Sequence, residues 1–260
     1  MPRLPLILAA TALLAPAPAL AEEGPGRRIM IGTGVQTLPR YPGADGNQAT
    51  FLPLFDTWRE GEQIPVESPD EAFGSALIGS RSGTSIGPAI SFAESRAADD
   101  IPGLAKVGFG MEAGIFAQTF PVPQLRLRAE LRQGIGGHKA LTGDLAADLV
   151  IRSAPNDNAG GEGLVATIGP RVRWGSAKHN HAYFGVPNPA PVFIPYEPGS
   201  GIYAVGAMAG VRLPLGRTFG LYGYLGYDRL TDRAATSPIV QAGNRDQVSA
   251  GLALTYRFTI

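Results

Sequence analysis

Three histidines are the side chains in this sequence best suited to chemistry, and their surroundings decide what each can do. His179 and His181 flank Asn180, with Ser176 just before them and His138 far upstream. Two histidines at i and i+2 can share a metal ion, but no third ligand is evident nearby, and His138 belongs to another loop. A histidine acting as base for a serine needs a third group to orient it, and Ser176 with Asn180 matches no recognised spacing. No catalytic, metal-binding or cofactor-binding residue is therefore expected. The acid pairs Asp70-Glu71 and Asp99-Asp100 sit in stretches that read as outer loops, where solvated charge is the expected role rather than divalent-cation binding. Gly134 to Gly137 lacks the strand–helix setting of a phosphate loop and reads as a hairpin turn.

A second constellation is larger. Arg126, Arg128, Arg132, Arg152, Arg171 and Arg173 alternate with apolar residues, and so do Glu112, Glu130, Asp144 and Asp148. If the segments carrying them are neighbouring strands, all these charges point to one side. Charges removed from bulk water must be paired or solvated. The arrangement then serves either as an ion-pair lattice that stiffens the interior or as an arginine-rich constriction selecting anionic solutes.

What must position them is a set of long strands. Leu164, Ala166, Ile168, Pro170, Val172 and Trp174 share one parity, against Val165, Thr167, Gly169, Arg171, Arg173 and Gly175. Leu125 to Arg132, Asp144 to Arg152, Lys106 to Ile115 and Val248 to Arg257 repeat the pattern. A period of two marks a strand, and these runs exceed the ~5–6 residues usual in soluble sheets. A membrane strand needs ~9–11 residues, and only a closed barrel pairs every backbone group in lipid. The apolar parity suits lipid and the polar parity suits a bore. Trp58, Trp174, Tyr222, Tyr224, Tyr256 and Phe258 lie near strand ends, where they could form aromatic girdles or face the lumen.

Strands are predicted at 27–38, 50–59, 62–67, 72–80, 84–94, 106–119, 124–134, 141–152, 163–176, 202–213, 218–229 and 246–258. Short turns fall at 81–83, 121–123 and 214–216, and long connections at 95–105, 177–201 and 230–245. Long and short connections alternate, apart from a moderately long 153–162, provided that 62–67 and 72–80 are separate strands. That gives twelve strands in an antiparallel up-and-down transmembrane barrel; ten is the alternative if 62–80 is one irregular segment.

Composition agrees with many short connections, with 35 glycines and 23 prolines in 260 residues and only 17% charged residues. There is no cysteine, which excludes disulfides and thiolate chemistry. Arg3, the apolar run Leu4 to Leu20, and Ala19 and Ala21 ahead of Glu22 read as a cleaved signal peptide over residues 1–21, with the barrel over 22–260. The mature net charge of −1 leaves no electrostatic footprint for nucleic acid.

Several blocks resemble the MipA/OmpV family of MltA-interacting outer-membrane proteins. They are TIGPRVRWGSAKHNHAYFGV at 167–186 and TSPIVQAGNRDQVSAGLALTYRF at 236–258, with YPGADGNQATFLPLFD at 41–56, SIGPAISF at 85–92 and RQGIGGHKALTGDL at 132–145. Thr259 and Ile260 after Phe258, and the proline-rich stretch after Val186, depart from the family's pattern. The resemblance implies an outer-membrane barrel of a Gram-negative envelope, in contact with lipid and lipopolysaccharide. It also implies a scaffold between a lytic murein transglycosylase and a bifunctional penicillin-binding protein, and it carries no catalytic residues. The alternative expectation is a narrow channel for small polar or anionic solutes.

Overall fold

The computed structural model describes residues 26–190 and 192–260; the signal segment expected over residues 1–21 lies outside them. Alternating apolar and polar residues form one antiparallel sheet of twelve strands. They are β1 (Arg27–Pro39), β2 (Asn47–Arg59), β3 (Phe73–Gly74), β4 (Ile78–Gly79), β5 (Ser85–Ala93), β6 (Gly110–Val122), β7 (Leu125–Gly136), β8 (Leu141–Arg152), β9 (Val165–Gly175), β10 (Gly201–Pro214), β11 (Phe219–Leu230) and β12 (Asp246–Thr259). From β5 to β12 each strand pairs with its successor, and β12 then pairs with β1, curling the sheet into a barrel. One end carries the C-terminus, the short turns 123–124 and 215–218 and the longer connection 153–164; the other carries the long loops 94–109, 176–200 and 231–245 and the tight β7–β8 turn.

The outer surface shows why water is the wrong solvent for this sheet. Ile31, Phe51, Phe55, Leu127, Leu145, Ile168, Leu225 and Leu252 all point outward and stand well exposed, Phe51 at 63% and Leu252 at 62%. Soluble monomers rarely expose apolar patches beyond a few hundred Å²; a transmembrane barrel requires such a belt. Phe219, Tyr256 and Phe258 cluster at the turn end, with ring centroids 5.5 and 5.9 Å apart. They are placed as a girdle. Trp58, Tyr222 and Tyr224 are not, because they face inward and fill the bore.

The count of twelve is reached differently from expectation. No strand forms over 62–67, and 72–80 contributes two short strands, β3 and β4, laid on β5. Residues 60–72 instead leave the end of β2 and climb inside the bore, returning to the wall at Phe73. The rising leg thus passes through the lumen, and the strands after it keep their expected directions. On the other side of this detour β2 has no backbone ladder to β3 or β4 among the described residues. Arg81 spans that seam, donating to the Thr57 carbonyl at 2.8 Å and meeting Asp56 at 3.1 Å. Pro53, on the same edge as Thr57, has no N–H to leave unpaired, as suits an edge strand.

Two local features follow from residue type. Gly136 (φ 85°) and Gly137 (φ 51°) make the tight β7–β8 turn, a conformation other residues adopt only with strain. Pro170 and Gly169 interrupt the β8–β9 ladder, because proline cannot donate and the glycine lets the backbones close up. A Cβ at Gly169 would overlap the Ala147 carbonyl oxygen. Gly169→Ala is expected to destabilise the barrel by about 1–3 kcal/mol through this overpacking, read as a lower urea midpoint. An unchanged midpoint would mean that the strands have room to part.

The loops form a lid rather than loose connections. They carry α1 (Ala177–Phe184), α2 (Asp232–Ala235) and α3 (Pro238–Ala242). Ser237 caps α3 by accepting from the Ile239 N–H at 3.2 Å and donates to the Phe184 carbonyl at 2.7 Å, which ties α1 to α3. Val107, Tyr183, Phe184, Leu230 and Val240 form an apolar core under this lid.

Candidate functional site

The inward parity of β6 to β11 builds a lattice of ion pairs around the segment 60–72. Arg126 is fully buried and reaches Asp148 at 2.9 Å, Glu71, and the Val66 carbonyl at 2.8 Å. Arg171 meets Asp70 at 2.9 Å and Asp148 at 2.8 Å, and donates to Ser68. Arg173 joins Asp70 at 2.9 Å, Asp144 at 3.3 Å and Asp228 at 3.1 Å. Arg128 lies over the Phe116 ring, pairs with Glu130 at 2.7 Å and donates to the Ala72 carbonyl at 3.2 Å. Arg132 links Glu112 at 2.8 Å to Glu130 and Asp144.

Of the ten charges singled out from the sequence, Arg152 stands apart. Its guanidinium donates to the Ile64 carbonyl at 2.7 Å, and no carboxylate lies within ion-pair distance among the described residues. It sits at the turn end of β8, beyond the reach of the acids clustered further in. Several partners were not anticipated. Arg212 pairs with Asp56 at 2.7 Å and Glu67 at 2.9 Å. Arg212, Asp56 and Asp228 occupy the inward parity of their strands, so the same alternation could have found them. Glu67, Asp70 and Glu71 could not be found that way. Expected as solvated loop charge, Asp70 and Glu71 lie in the bore against arginines, because the chain bearing them is threaded through it.

Above the lattice, toward the lid, lies a chamber of about 310 Å³ lined by charged, histidine and tyrosine side chains. His138 and His179, on different loops, meet here with ring centroids 5.1 Å apart. The His138 Nδ1 accepts from the Ala140 N–H at 3.2 Å, so Nε2 carries the proton and donates to Glu112 at 3.0 Å. Ser91 also donates to Glu112, at 2.9 Å. Neither nitrogen of His138 is free to accept a proton from a hydroxyl. Burial pushes His179 down to about 4, keeping it neutral beside Asn180. His181 lies outside the chamber, in an exposed pair with Glu197 at 2.9 Å. Among the described residues no three histidine or acid groups are arranged to hold a metal ion.

Comparison with known proteins completes the picture. The family described as MltA-interacting protein MipA matches residues 31–258. No curated protein shows significant similarity to the chain. Among solved structures, the outer membrane protein OprG from Pseudomonas aeruginosa resembles it over 91% of this chain and 97% of its own, at 9% sequence identity. The TM-score of 0.22 is too low for that likeness to bear on fold or function. The family match runs from the first strand to the last, over a barrel whose apolar belt needs lipid. The chain therefore belongs to the MltA-interacting protein MipA family and is a multi-pass β-barrel of the outer membrane.

Proposed function

We propose that this protein is a rigid outer-membrane platform that holds murein-cleaving and murein-synthesising enzymes at its periplasmic end. The observation that carries the reading is the filled bore. Segment 60–72 occupies the lumen, and Arg126, Arg128, Arg132, Arg171, Arg173 and Arg212 each hold carboxylates there. A barrel stiffened in this way is suited to presenting a fixed surface. The family description, which names interaction with MltA, supports a murein transglycosylase as one partner; a penicillin-binding protein would be the second. The outer belt takes membrane lipid, and the lid end would face lipopolysaccharide.

The longest periplasmic connection is the natural docking element. Residues 153–164 are ordered by a 3₁₀ turn at Asp157–Ala159 that Asn156 caps, and Arg28 grips Glu162 at 2.7 Å. The test is affinity capture on the immobilised, refolded barrel from detergent-solubilised envelopes. The native protein should retain a lytic transglycosylase and a bifunctional penicillin-binding protein, and a variant with 154–161 replaced by a short Gly-Ser turn should lose them. If the native barrel retains neither enzyme, the platform reading is wrong. The competing reading, a channel for small polar or anionic solutes, has to contend with an occupied lumen whose lattice arginines, Arg152 apart, are already paired with carboxylates.

A further inference from the structure

We propose that the chamber beneath the lid is a binding site for a small organic cation, with Glu94 as its anionic anchor and the Tyr203 ring as an adjoining wall. This goes beyond the platform reading and does not depend on it. The charges lining the chamber are four carboxylates, Asp70, Glu94, Glu112 and Asp228, against two guanidiniums, Arg132 and Arg173. Both guanidiniums are saturated, Arg132 by Glu112, Glu130 and Asp144, and Arg173 by Asp70, Asp144 and Asp228. Neutral His179 adds no positive charge. The space is therefore left with an excess of negative charge, although arginines dominate the strands below it.

Glu94 concentrates that excess. It follows β5 at the chamber wall, where its side chain is exposed to the cavity. Among the described residues its carboxylate meets no guanidinium, histidine or N–H; only its backbone carbonyl is engaged, by the Tyr183 hydroxyl at 2.6 Å. The Asp228 Oδ1 likewise has no hydrogen-bond partner. Enclosure raises Glu94 to about 7; Arg173 opposes the shift, and Asp228, Glu112 and Asp144 add to it. An ammonium group in the chamber would offset this unpaired charge, and an aromatic face attracts cations through its quadrupole. An anion would meet the unpaired Glu94 carboxylate, and a neutral molecule would relieve nothing.

The test is calorimetric titration of the refolded barrel in detergent at physiological salt. Spermidine is the cationic probe, 1,8-octanediol the neutral one and glutarate the anionic one. Saturable one-site binding is expected for spermidine alone. Glu94→Gln should weaken it at least about tenfold, as removing one member of an enclosed charge contact does, and Glu94→Lys should abolish it. Glu197→Gln, which removes an exposed acid outside the chamber, should bind as the native protein does. The heat-modifiable gel mobility of folded barrels confirms that each variant is folded. No saturable spermidine binding, unchanged affinity in Glu94→Gln, or glutarate binding as tightly as spermidine would each overturn the proposal. Enzyme capture at the periplasmic end is a separate readout, so either reading can fail without the other.

Discussion

Arg126→Met is expected to lower the thermal stability of the refolded barrel more than any other single change in the lattice. The Arg126 guanidinium is wholly buried and holds Asp148, Glu71 and the Val66 carbonyl together. Methionine keeps much of the volume but leaves two carboxylates and a carbonyl in a space that water enters poorly. Breaking a buried pair from one side costs about 3–5 kcal/mol, mostly from the stranded charge. The measurement is the temperature at which the folded, faster-migrating band is lost. Arg229→Ala supplies the contrast, since the Arg229–Asp246 pair at 2.6 Å stands in solvent. Exposed pairs contribute little, so its transition should stay at the native temperature. Equal effects of the two substitutions would mean that the lattice is solvated rather than buried.

Neutralising the acids of the threaded segment should have the second large effect, on conductance. In the triple variant Glu67→Gln, Asp70→Asn, Glu71→Gln, Arg126, Arg171, Arg173 and Arg212 each lose a partner that segment 60–72 supplies. The segment then loses its main tether, and the bore gains unbalanced positive charge. The native barrel should give no resolved single-channel steps in a planar bilayer, whereas the variant should give steps selective for anions, as expected of a pore lined by guanidiniums. Resolved steps from the native protein would restore the channel reading. A silent variant would mean that apolar packing of Ile64 and Val66 against Met30, Trp58, Val150 and Val165 holds the segment without its charges.

The strands were legible because the cause is local. Nearly every second residue in β7, β8 and β9 is apolar, and hydrocarbon on one face with a polar bore on the other is the arrangement that satisfies this. Neighbouring strands in the chain are neighbours in the sheet, so the arginines and acids of these three strands could be placed on one surface in advance. The segment 60–72 was not legible. Its Glu67, Asp70 and Glu71 have the polarity of an outer loop, and its short apolar run has the look of a strand. Nothing in a one-dimensional pattern separates wall from lumen. The helices α1 to α3 were missed for a related reason: each is short and held by Ser237, Phe184 and the lid core rather than by its own periodicity.

Period-two alternation was thus sufficient for barrel, membrane and an inward array of charge. Which of those charges remain unpaired was decided only on folding. Arg171 meets Asp70 from 101 residues away, and Arg212 meets Asp56 from 156. Coulombic balance depends on separations of a few ångströms in space, and sequence distance carries no record of them. The chain therefore reads as arginine-rich along β7 to β9, while the chamber above those strands is lined by more carboxylates than guanidiniums.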